Sequence, residues 1–206
     1  MLEEMFALLM AVAPDLMKGI VSLFIVVDPL GNIPIFITLT EDMEAGEKRR
    51  IFNTATMVGF ILLLAFALTG QQILIFFGIS FQSFMIAGGV LLLIIAIRLL
   101  IVGGWEEPEV SPESVGAVPI ACPLLVGPGA ITTTILNLQE IGVTLTITSV
   151  VIIFAIVWLI LKFIEPIYRF LGRVGSSVIS RVMALFIAAI AIQYILNGVG
   201  YFMYRG

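Results

Sequence analysis

Asp28-Pro29-Leu30-Gly31-Asn32-Ile33-Pro34 interrupts an otherwise apolar stretch, residues 16–39, with two prolines, a glycine and a carboxylate. Proline inside a helix removes a backbone donor and collides with the preceding turn. Glycine lets the chain leave helical geometry. A single proline would give a kink; this combination predicts that the helix unwinds and restarts. The second half of the chain repeats the pattern, with Pro123, Gly127, Pro128 and Gly129 inside an apolar run that continues as Ala130-Ile131-Thr132-Thr133-Thr134.

The surroundings of the two interruptions define the solvent. Hydrophobic residues make up 61% of the 206 residues and charged residues 12%, against roughly 25% charged in soluble domains. No Asp, Glu, Lys or Arg occurs from Ile51 to Ile97, Ser114 to Gln139, Ile141 to Leu161 or Val182 to Tyr204. A bilayer core of about 30 Å takes about 20 apolar residues per helix. The pattern predicts six spans, at 16–39, 51–69, 81–102, 118–138, 143–164 and 182–203. Residues 1–13 form an interfacial helix or extend the first span, and their acidic start lacks the basic region of a secretory signal. The fold class is therefore all-α, a polytopic membrane protein. Closed barrels would need short alternating strands instead.

Six spans place both termini on one face. Lys48, Arg49, Arg50, Arg98, Lys162, Arg169, Arg173 and Arg181 fall on the other, against Lys18 and Arg205 on the terminal face. The positive-inside rule then puts both termini outside the cell's cytoplasmic (inner) membrane. The Lys48–Arg50 cluster reads first as an orientation signal, with anionic lipid as the alternative. The acidic segment 104–116, with Glu106, Glu107, Glu109 and Glu113, reads as a cytoplasmic linker between residues 1–103 and 117–206.

Those two segments carry paired features in the same order. The interruptions correspond, and Ile75-Phe76-Phe77-Gly78 and Arg169-Phe170-Leu171-Gly172 each precede the third span of their half. Three spans per half turn the second copy upside down, giving two inverted three-helix repeats with broken helices 1 and 4.

Both breaks are expected near the bilayer midplane, where non-helical backbone persists only if buried in protein or lining a polar cavity. Each restarts a half-helix, near Asn32 and near Ala130, whose N–H groups and dipole attract an anion such as a carboxylate. The carbonyls near Val27 and Val126 are expected to favour cations. Asp28 is the sole ionisable residue near the middle of a span, at a cost of roughly 2.5–3.5 kcal/mol, which marks it as a site for an ammonium group, Na⁺ or a proton. Capping of the second half-helix is the alternative. The expected substrate-binding residues are Asp28, Pro29, Gly31, Asn32, Gly127, Pro128, Gly129, Ala130, Thr132 and Thr133, with Asp28 also coupling an ion. Back-bonding to carbonyls is expected of at least one of the three threonines. Gln193 and Asn197, four apart on span six, read as interhelical hydrogen-bonding residues or as cavity lining.

At the segments Asp28–Pro34 and Pro123–Thr133 the sequence resembles the MarC family of integral membrane proteins, which includes the SnatA-type transporters. The resemblance covers nearly the whole chain. It implies transport of small neutral amino acids, glycine and alanine, coupled to an ion gradient. The residues themselves imply only a small guest with an anionic group.

A secondary transporter is thus the leading expectation, with a passive channel or an exporter of another small polar or anionic metabolite as the alternative. A channel would carry polar residues along its full path. An enzyme is not expected, because the single midplane carboxylate lacks a second carboxylate, a metal cluster or a nucleophile with its base. The chain has no histidine and one cysteine, Cys122, so no disulfide and no metal site are expected. No cofactor is expected beyond a coupling H⁺ or Na⁺. The expected partners are the amino acid and membrane lipid, without nucleic acid; a homo-oligomer is compatible with this reading.

Overall fold

The computed structural model describes residues 2–40, 43–102 and 125–205. The linker 104–116, Cys122, Pro123 and the opening of the fourth expected span lie outside the described residues. Among the described residues the regular structure is helical: α1 (Leu2–Val27), α2 (Ile33–Leu39), α3 (Ala45–Phe76), α4 (Phe81–Val102), α5 (Pro128–Lys162) and α6 (Ile164–Arg205). Four stretches, Ala45–Phe76, Phe81–Ile101, Pro128–Lys162 and Ile164–Met203, are long and apolar enough to cross a bilayer.

Two of these helices change direction at glycine. Gly142 has φ 82° and ψ 169°, and Gly172 has φ 62° and ψ −179°, a backbone region essentially restricted to glycine. The first separates residues 128–141 from 143–162, where the sequence placed the boundary between spans four and five. The second separates 164–171 from 173–205. Span six was expected to start at Val182, yet the helix continues back to Gly172. Arg173 and Arg181 are exposed while Ser176 and Ser180 are buried, so the charges ride on the outer face of a helix. The N-terminal segment is continuous with the helix that ends at Val27, with Pro14 inside α1.

Three antiparallel pairings organise the bundle. Along α1 and α5, Lys18 Nζ meets Glu140 Oε2 at 2.6 Å, Asn137 Nδ2 donates to Ser22 Oγ at 3.2 Å, and Val26 lies against Gly129. Along α3 and α5, Trp158 Nε1 donates to Asn53 Oδ1 at 3.0 Å, and the rings of Phe60 and Phe154 sit 6.0 Å apart, edge to face. Along α4 and α6, Gly89 lies against Ala191 and Ile195, and Gly198 against Gln82 and Ile86. In each pair, rising numbers on one helix meet falling numbers on the other.

Two apolar clusters fill the interior. One joins Val27, Ile33, Phe36, Leu125, Val126 and Phe154; the other joins Leu92, Ile95, Leu136, Ile187 and Ala191. The outside is apolar too: Ile61, Leu68, Ile94, Leu185 and Leu196 all face outward. Patches of this kind are a liability in water, and lipid is the solvent that suits them.

Candidate functional site

The first expected break is present. α1 ends at Val27 and α2 starts at Ile33. Asp28 adopts φ 42°, a left-handed conformation that Asp tolerates better than most side chains. Its carboxylate folds back onto the turn and out to α6. Oδ1 accepts from the Gly31 N–H at 3.1 Å, and Oδ2 accepts from Ser180 Oγ at 2.9 Å. Asp28 is 4% exposed. A side chain on Gly31 would collide with the Asp28 carboxylate and with Ser180, so glycine is what allows this closure.

The dipole ends expected to be open at this break are closed by the chain itself. Asn32 Nδ2 donates to the Val27 carbonyl at 3.1 Å, so the carbonyl expected to be free for a cation has a partner. The Asn32 N–H donates to the Asp28 carbonyl and the Ile33 N–H to the Leu30 carbonyl, while Pro34 has no N–H to offer. The Asp28 carboxylate binds within the turn, at the Gly31 N–H, and not to an N–H of α2, which begins without a side-chain cap. Pro29 is buried beside it.

The second break is visible from Leu125 onward. Gly127 is extended, with φ −71° and ψ 171°, and Pro128 opens α5, a position where its fixed φ suits a helix start and its missing N–H is not needed. Ala130 and Ile131 both donate to the Gly127 carbonyl. Pro128 is exposed and Gly127 half-buried. Gly129 is packed, since a Cβ there would lie 3.0 Å from both Leu92 Cδ2 and Val26 Cγ1.

The threonines that follow do three different things. Thr132 places its methyl against Gly88. Thr134 Oγ1 donates to the Ala130 carbonyl at 2.8 Å, the back-bonding expected of one of them. Thr133 Oγ1 is fully buried without a hydrogen-bond partner among the described residues. A buried hydroxyl left unpaired costs about 1–3 kcal/mol.

Lys18–Glu140, Ser22–Asn137 and Val26–Gly129 are successive rungs of one antiparallel pair. Val27 and Ile33, which flank the first break, share one apolar cluster with Leu125, Val126 and Ala130 at the second.

Sequence reasoning missed Ser180, Ser22 and Asn137. The signal for Ser180 was its spacing of four from Ser176, which puts both on one helix face; Arg181 beside it hid that face by suggesting a loop. Asn137 joins α1 to α5 through Ser22 and the Gly19 carbonyl. Gln193 and Asn197 neither line this site nor join helices. Gln193 Nε2 donates to Asn197 Oδ1 at 2.7 Å on an exposed face.

A helical bundle with an apolar exterior, spanning-length helices and a polar interruption buried inside is a multi-pass integral membrane protein. The chain belongs to the MarC family of integral membrane proteins, whose family model matches residues 13–203. It is 37% identical over 188 residues to a UPF0056 membrane protein of Archaeoglobus fulgidus, covering 86% of this chain and 88% of that one. It is 37% identical over 191 residues to the UPF0056 membrane protein MJ1677 of Methanocaldococcus jannaschii, covering 86% and 92%. With the UPF0056 membrane protein YhcE of Escherichia coli it shares 33% over 198 residues, covering 90% and 92%. No solved structure matches the chain significantly.

Proposed function

We propose that the chain is a secondary transporter of small neutral amino acids of the glycine and alanine type, coupled to H⁺ or Na⁺. In this reading it crosses the cytoplasmic membrane six times as two inverted repeats, with both termini outside. The observation that carries the proposal is that the residues flanking the two breaks share one apolar cluster, and that the first break holds a buried carboxylate. Backbone of this kind at membrane depth goes with binding sites.

The residues divide the work. The substrate carboxylate takes the start of α5, at Gly127, Pro128, Gly129 and Ala130, where the helix dipole favours an anion and Thr133 Oγ1 lacks a partner. The turn before α2 holds Asp28, so the ammonium group or the coupling ion goes to that carboxylate, within reach of Asn32, Pro29 and Gly31.

The inverted repeat draws support from the corners and the pairings. Gly78 and Gly172, each before the third span of its half, have φ of 64° and 62°. Third span packs on third (α4 on α6), and second on second (α3 on residues 143–162), both antiparallel, as a two-fold axis in the membrane plane requires.

Labelled glycine and alanine uptake into proteoliposomes, under separately imposed H⁺ and Na⁺ gradients, tests the proposal. Saturable uptake driven by one of the gradients is expected. Uptake that never saturates and ignores both gradients would indicate a channel, and an absence of uptake would remove the substrate assignment.

A further inference from the structure

Away from the breaks, α3, α5 and α6 enclose a cleft of about 340 Å³ lined by Lys48, Arg49, Asn53, Trp158, Lys162 and Glu165. Three cations face one carboxylate in it. Lys162 Nζ stands 4.8 Å over the Trp158 ring, a cation–π arrangement that holds it in place. The Trp158 indole is fixed in turn by its hydrogen bond to Asn53. Neither Lys48 nor Arg49 makes an ion pair among the described residues.

A second cleft, of about 420 Å³, continues from the first along the seam of α3 and α5. Asn53 and Trp158 line both. Beyond them the walls are apolar, Met57, Phe60, Val151, Phe154 and Ala155, apart from Thr56, whose hydroxyl is turned to the Phe52 carbonyl. Met57, Val151 and Trp158 are at least 39% exposed, so the groove opens to the side of the bundle, where lipid tails lie. Trp and Lys at the end of a spanning helix mark the membrane–water interface, which sets the cationic cleft at headgroup depth and the groove at acyl depth.

We infer that these joined clefts form a binding site for one acidic phospholipid, its phosphate held by Lys48, Arg49 and Lys162 and one acyl chain laid in the α3/α5 groove. The two halves of such a lipid differ as the two clefts differ: an anion over cations, a hydrocarbon chain over apolar walls. Basic pockets between spanning helices recognise acidic headgroups in this manner. Glu165 opposes the anion. It also disfavours a second phosphate, so a single-phosphate headgroup is the better match.

The test uses the full chain, reconstituted in vesicles of equal phosphatidylglycerol and phosphatidylcholine, extracted in mild detergent and weighed by native mass spectrometry. Wild type is expected to retain one phosphatidylglycerol in preference to phosphatidylcholine. Each cation should contribute about fivefold, so the triple variant Lys48→Gln/Arg49→Gln/Lys162→Gln should lose the preference by about a hundredfold. Arg169→Gln/Arg173→Gln, which removes exposed cations outside the cleft, should leave it intact. Ala155→Phe fills the groove without touching charge and should also reduce retention, which separates a lodged lipid from general attraction of anions. Equal retention of the two lipids by wild type would overturn the inference. So would equal losses in the triple variant and the Arg169/Arg173 control, or full retention by Ala155→Phe.

Discussion

Replacing Asp28 separates its charge from its hydrogen bonds. Asn keeps the shape: its oxygen can accept from the Gly31 N–H, and its amide can donate to Ser180 Oγ, which rotates to accept. Ala keeps neither. Both substitutions remove the charge, so the cost of holding a carboxylate inside the bundle cancels between them. The difference is then two hydrogen bonds, now 3.1 and 2.9 Å long, each worth about 1–2 kcal/mol when its partner is left unpaired inside the protein. The left-handed backbone at φ 42° adds about 1 kcal/mol, since Asn adopts it more readily than Ala. Asp28→Ala should therefore unfold about 3–5 kcal/mol more easily than Asp28→Asn in detergent titrations followed by circular dichroism. Uptake should separate differently: Asp28→Asn, though folded, should lose gradient-driven glycine uptake. Equal stability of the Asn and Ala variants would refute the hydrogen-bond geometry. Gradient-driven uptake at the wild-type rate in Asp28→Asn would refute the coupling role.

Other substitutions probe the frame. Gly142→Ala meets no atom within 4 Å, so its cost is purely conformational, about 1–3 kcal/mol; Gly46→Ala, equally unobstructed but helical, should stabilise by about 0.5–1 kcal/mol, and thermal unfolding of the pair checks both. A Cβ on Gly89 would stand 2.7 Å from the Ala191 carbonyl oxygen, backbone that cannot step aside, so Gly89→Ala should cost about 1–3 kcal/mol and separate α4 from α6, visible as faster exchange of α4 amides. Asn137→Ala should lower stability by about 1–3 kcal/mol, the net worth of its two hydrogen bonds to Ser22 and the Gly19 carbonyl; Ser22 Oγ keeps its own bond to that carbonyl. Lys18→Gln should cost under about 1 kcal/mol because Lys18 is 57% exposed and its ion pair is screened; a Lys18 effect larger than the Asn137 effect would overturn that ranking.

The long apolar helices were legible wherever charge was absent, because hydrocarbon excludes charge regardless of neighbouring structure. The same rule misread the approach to span six, where Arg173 and Arg181 project outward from a helix that continues past them. Pro29, Gly31 and Pro34 announced the first break and Pro128 the start of α5, since their effect on a helix is local. How the breaks close was not legible. Asp28 meets Ser180 across 152 residues of sequence, and no periodicity within either segment encodes that pairing. Nor was the bond from the Asn32 amide to the Val27 carbonyl legible, since that partner is fixed only once the turn has formed.

The α1/α5 pair is fastened unevenly. Its far end carries an ion pair and an amide–hydroxyl bond, at Lys18–Glu140 and Asn137–Ser22, whereas beside the breaks Val26 and Gly129 meet only as greasy surfaces. Polar bonds resist sliding, and hydrocarbon contacts yield to it. The two helices therefore resemble shears riveted near the handles: a small rocking about Asn137 would part Val26 from Gly129 without undoing the rivet.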